Sequence, residues 1–166
     1  MMKNNRVKRI TFIGVISAAA VILSYIEMLL PPIYSAVPGI KVGLPNIVII
    51  LLLYKYGVGA AAVASFIRLT IMALLFNPST FLYSLAGAVL SLSVMALFQK
   101  TDMFSTVGVS IAGGVMHNLG QILVAMLLLE TAEIGYYMFI LAISGTLAGV
   151  FIGIAGSFLL ERLKKY

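Results

Sequence analysis

The chain has 166 residues, of which 62% are hydrophobic and 10% charged, and its mean hydropathy is +1.14. Those values lie far from the averages of water-soluble domains and exclude a protein whose surface is mostly solvated. The net charge of +6 does not point to nucleic acid, because the basic residues sit at the chain ends and in short connections, and the absence of Cys excludes disulfides, thiolate metal sites and Cys nucleophiles together.

The apolar runs predict an all-α, integral membrane bundle of about six transmembrane helices, forming a single transmembrane domain over residues 1–166. The first helix is expected over about 10–30, after the basic stretch Lys3, Arg6, Lys8 and Arg9 and before Pro31-Pro32, where a helix must stop. It is too long for a signal-peptide core and lacks a convincing cleavage site, so it is retained as a membrane helix. Residues 31–45, with Pro38-Gly39 and Lys41, read as the one long irregular connection. A second helix over about 44–56 is short for a span unless it starts inside the protein, and Gly57-Val58-Gly59 marks the turn into a third over 58–76. Asn77-Pro78 ends that helix, and three more are expected over about 81–98, 104–129 and 134–160.

With six spans, Lys3, Arg6, Lys8, Arg9, Lys55, Lys100, Arg162, Lys164 and Lys165 fall on one side. Lys41, with the acidic Glu130 and Glu133, falls on the other. Basic residues favour the cytoplasmic side of short connections, so both termini are expected in the cytoplasm and the chain in the plasma membrane. Gly145, Gly149 and Gly153, each four apart, and Gly14 with Ala18 present small faces that let helices approach closely, either within the protein or against a partner.

Polar groups at membrane depth are the candidate site residues, since a mid-helix Arg costs about 2.5–3.5 kcal/mol to insert. Arg68 sits near the middle of the third helix and calls for an anion, either a ligand or the carboxylate of Glu27. His117 and Gln121 are four apart on the fifth helix with Asn118 between them and Gly113 and Gly114 one turn below, a polar face that either hydrogen-bonds between helices or lines a cavity. A lone His without Cys leaves metal binding unsupported, and no cofactor is expected. Lys41, Gly43 and Asn46 bring a cation, a permissive backbone and an amide to the start of the second helix, where free N–H groups attract anions. The alternative there is an interfacial loop with a snorkelling lysine. Tyr25, Tyr54 and Tyr83 either mark interfaces and packing or line a cavity.

The stretch Pro38-Gly39-Ile40-Lys41-Val42-Gly43-Leu44-Pro45-Asn46, then Arg68, Phe81-Leu82-Tyr83-Ser84-Leu85-Ala86-Gly87 and His117-Asn118-Leu119-Gly120-Gln121, resembles in order the motifs of the Gx transporter family. That family, also called heptaprenyl diphosphate synthase component I, looks related to the substrate-binding S components of energy-coupling factor transporters. The resemblance implies an S-component-like fold with a ligand site opening outward, working in the lipid bilayer with a transmembrane coupling subunit and cytoplasmic ATPases. The chain has no Gly-rich Lys-Ser/Thr phosphate loop, so any ATP hydrolysis is expected in those partners. S components often carry Ala-x-x-x-Ala for docking on the first helix, which Gly14-x-x-x-Ala18 and Ala20-x-x-x-Ser24 only approximate.

Prenyl diphosphate synthases hold Mg²⁺ with clustered aspartates, whereas Asp102 is the one Asp here, so the chain is not expected to be the catalytic enzyme. An intramembrane enzyme with His117 as base would lack an accompanying acid, nucleophile or metal cluster. The expectation is therefore a binding component for a small, anionic ligand, an isoprenoid or quinone precursor by association with the family name. Lys41, Asn46, Arg68, Tyr83, His117, Asn118 and Gln121 are its candidate contacts, with Gly14 and Ala18 for docking. The competing expectation is a non-catalytic scaffold for isoprenoid synthesis.

Overall fold

The computed structural model describes residues 2–30 and 42–163, with side chains from Arg6 onward. It contains six α-helices: α1 (Met2–Leu29), α2 (Asn46–Tyr56), α3 (Val58–Leu75), α4 (Phe81–Thr101), α5 (Thr106–Leu128) and α6 (Met138–Leu163). All except α2 belong to segments long and apolar enough to cross a membrane, so the chain is an all-α membrane bundle.

The structure has a helix at each of the six predicted places, with displaced ends, while the irregular connection expected over 31–45 lies outside the described residues except for its last four. Helix α1 begins eight residues before the expected Ile10 because the basic stretch is itself helical. Helix α4 runs on to Thr101, closed by Asp102 in the left-handed conformation that a short polar side chain tolerates (φ 51°). The expected start of the sixth helix is a 3-10 turn, Glu133–Tyr137, and α6 proper begins at Met138. Ser105 caps α5, its hydroxyl oxygen accepting a hydrogen bond from the Gly108 N–H at 3.2 Å.

Two ring contacts fix the direction of the first helices. Phe12 of α1 packs against Tyr56, and Tyr25 stacks on Phe76, with centroids 5.3 and 5.5 Å apart. Helices α1 and α3 therefore run parallel, and α2 runs antiparallel to both. At the end nearer the termini, Arg9 donates to the Tyr56 carbonyl at 3.2 Å and Gln99 to that of Leu53 at 3.3 Å.

Helix α2 has 11 residues, about 16 Å at about 1.5 Å per residue, roughly half a hydrocarbon core. Val48 through Leu53 are all buried, as a helix apolar on every side must be. A Cβ on Gly43, just before this helix, would lie 4.0 Å from Ile152 near the middle of α6. The second helix thus starts part-way through the bundle, which reconciles its length with a chain that crosses.

Glycines set the packing of the second half. A Cβ on Gly145 would lie 2.8 Å from the Gly114 carbonyl oxygen, one on Gly149 2.5 Å from Ile111 Cα, and one on Gly153 2.6 Å from Val107 Cα. The Gly145, Gly149 and Gly153 stripe is the internal seam between α6 and α5, where lipid supplies no hydrophobic drive and close backbone approach does the packing. Gly14 is different, since a Cβ there would meet nothing within 4 Å among the described residues.

Candidate functional site

Each long helix contributes one stripe, at three- and four-residue spacing, to a common cavity of about 280 Å³. On α3 the stripe is Ser65, Arg68, Leu69, Met72, Ala73 and Phe76. On α5 it is Ser110, Gly113, Gly114, His117, Asn118 and Gln121. Helix α4 adds Ser84 and Ser91, α6 adds Gly145 and Gly149, and α1 adds Ser24, Glu27 and Met28. The contributions from α1, α3 and α4 come largely from the halves nearest the 31–45 connection, so the cavity lies toward the end of the bundle opposite the termini.

Arg68 is the dominant charge. It is only 8% exposed, and its Nε is buried without a hydrogen-bond partner among the described residues. Glu27 is close enough to attract it electrostatically. That carboxylate is engaged elsewhere: its Oε1 accepts a hydrogen bond from the backbone N–H of Gly43. Glu27 is therefore a neighbouring carboxylate of Arg68 that is held in part by the segment entering α2.

The α5 motif is divided between structural and cavity duties. The Asn118 Nδ2 donates to the Leu141 carbonyl of α6 at 2.7 Å, an interhelical bond. His117 and Gln121 press on α4 where Gly87 has no side chain; a Cβ there would lie 2.7 Å from the His117 carbonyl oxygen and 3.0 Å from Gln121 Cγ. Gly120 meets Ala86 in the same way, so Gly87 and Gly120 bring the two motifs into register.

Asn46, Arg68, His117, Asn118 and Gln121 are thus brought together around one cavity. Tyr83 is partly buried on α4 outside the described lining, and Lys41 lies outside the described residues. Asn77, Thr80 and Ser84 line the cavity without having been singled out. Asn77 reads in sequence as a helix breaker beside Pro78, while Ser84 lies within a motif and follows from the spacing Phe81, Ser84, Ala88. Among the described residues no three His, Cys, Asp or Glu side chains converge as a metal site would require.

No curated protein and no solved structure matches the chain. The family model described as heptaprenyl diphosphate synthase component I matches residues 16–159, a span that holds the cavity-lining stripes of every helix. The chain belongs to the heptaprenyl diphosphate synthase component I family.

Proposed function

We propose that the chain is the membrane-embedded substrate-binding component of an energy-coupling factor type transporter, holding a small metabolite with an anionic group between α1, α3 and the α4–α6 unit. Arg68 carries this reading. A buried guanidinium whose Nε has no partner among the described residues, lining a cavity with Asn46 and Gln121, has the charge and the neighbouring amides to hold a carboxylate or phosphate. A volume of about 280 Å³ falls just below the range of drug-sized ligand sites, which run from roughly 300 to 1,000 Å³. It suits a short metabolite and not a long polyprenyl chain. Energy would come from a coupling subunit and cytoplasmic ATPases, with Gly14 and Ala18 on the exposed face of α1 as the docking surface.

A second reading is favoured by the family's description as one component of a synthase. In it the chain is a non-catalytic membrane accessory that holds a soluble prenyl diphosphate synthase at the bilayer.

Affinity purification of the intact protein from its native membrane, followed by ATP-dependent uptake in proteoliposomes, separates the two. The transport reading expects ATPase and coupling subunits to co-purify, and an uptake signal that Arg68→Ala lowers at least tenfold. Recovery of a synthase subunit with no ATPase, and no uptake, would overturn it in favour of the accessory.

A further inference from the structure

The described lining of the cavity carries one cation, Arg68, and one carboxylate, Glu27. The two attract each other, yet no ion pair within 4.0 Å joins them. Glu27 is engaged through Oε1 by the Gly43 N–H, whereas an ionised carboxylate can accept about four hydrogen bonds. Each charge therefore retains binding capacity toward the same space.

Charges in a poorly solvated cavity need partners of opposite sign, and an uncompensated one is heavily disfavoured. A simple anion on Arg68 would satisfy the guanidinium and leave Glu27 beside a second negative group. A ligand with both an acidic group and an ammonium would satisfy the two together and keep the site neutral. Size narrows the ligand further. The volume of about 280 Å³ is several times the roughly 30 Å³ that one water occupies in the liquid, room for a molecule on the order of ten heavy atoms.

We propose that the cavity selects a net-neutral zwitterion of amino-acid size, its acidic group on Arg68 and its ammonium on Glu27. This deepens the transport reading and rests on the cavity being a ligand site. Glu27 is then a specificity residue, rejecting simple anions by repulsion and accepting zwitterions by pairing.

Matched sets of probes test it on the full-length protein in lipid nanodiscs. One set is phenylalanine, 3-phenylpropanoate and 2-phenylethylamine; a second is methionine, 4-(methylthio)butanoate and 3-(methylthio)propylamine. In at least one set the zwitterion should bind saturably and at least tenfold more tightly than either singly charged relative. Glu27→Gln should close the gap between zwitterion and monoanion, and Arg68→Gln should weaken both. Equal or tighter binding of the monoanion to the unmodified protein, lost in Arg68→Gln, would overturn the zwitterion while leaving an anion-binding component. Binding of no probe to the unmodified protein would overturn both. The decisive comparison uses the unmodified chain, so a variant that fails to fold does not blunt it.

Discussion

Glu27, near the end of α1, accepts a hydrogen bond from the backbone N–H of Gly43, which ties the segment entering α2 back to the helix that precedes the long connection. Gly43 has a φ of 79°, where a side chain is strained, and a Cβ there would lie 3.2 Å from the Asn46 Nδ2. Gly43→Ala should lower stability by about 1–2 kcal/mol, the penalty of a left-handed non-glycine residue. It should also weaken ligand binding, because Asn46 must move. Unfolding titrations in mixed micelles and binding assays check the two effects separately, and a variant as stable as the parent would show that the turn is not strained.

The two small-residue faces should respond oppositely to an added methyl group. Gly149→Ala pushes a Cβ against Ile111 Cα at 2.5 Å, backbone that cannot swing aside as a side chain would. Overpacking of this kind destabilises by about 1–3 kcal/mol. Gly14→Ala meets nothing within 4 Å and should leave the fold as stable or slightly more so, since Ala is the better helix former. A bulky Gly14→Leu should fold yet fail to retain its partners in pull-down. If it retained them in full, docking would use another face.

Asn118 donates to the Leu141 carbonyl at 2.7 Å. Interhelical hydrogen bonds in membranes contribute about 0.6 kcal/mol on average and up to about 1.7, so Asn118→Ala should loosen the α5–α6 seam by that order. Its effect on ligand affinity should be smaller than that of Arg68→Ala, because the amide already has a protein partner. Thermal denaturation in detergent with parallel binding isotherms tests this. A loss of affinity as large as that of Arg68→Ala, without a loss of stability, would make Asn118 a direct ligand contact.

Helix count, order and the membrane setting were legible in the sequence because long apolar runs separated by Pro, Gly and charge leave few alternatives. The α5 face was legible for a similar reason: His117 and Gln121 stand out against apolar neighbours at helical spacing. The inward stripe of α3 could be extended from Arg68 by steps of three and four residues, through Met72 to Phe76. What periodicity does not encode is which helix faces which. That Gly145 seats on Gly114, while Gly14 faces open space, depends on crossings between distant segments. The same holds for Glu27, whose engagement by Gly43 across 16 residues no local pattern encodes.

Topology supplies the last prediction. Arg6, Lys8 and Arg9 of α1, Lys55, Lys100 and Arg162 lie at one end of the bundle, and Lys3, Lys164 and Lys165 adjoin that end in sequence. In chains with short connections such a bias sets orientation, so the prediction is that both termini are in the cytoplasm and the 31–45 connection is outside. The parallel run of α1 and α3 agrees with this, because it puts Arg9 and Lys55 at one end and Glu27 with Asn77 at the other. The chain has no Cys, so a single introduced thiol reports its side without background. Ser35→Cys should react with an impermeant maleimide added to intact cells, and Lys165→Cys only after permeabilisation. The reverse pattern would turn the cavity toward the cytoplasm, where Arg68 would meet a ligand being exported or handed to a soluble enzyme, and the uptake reading would fall with it.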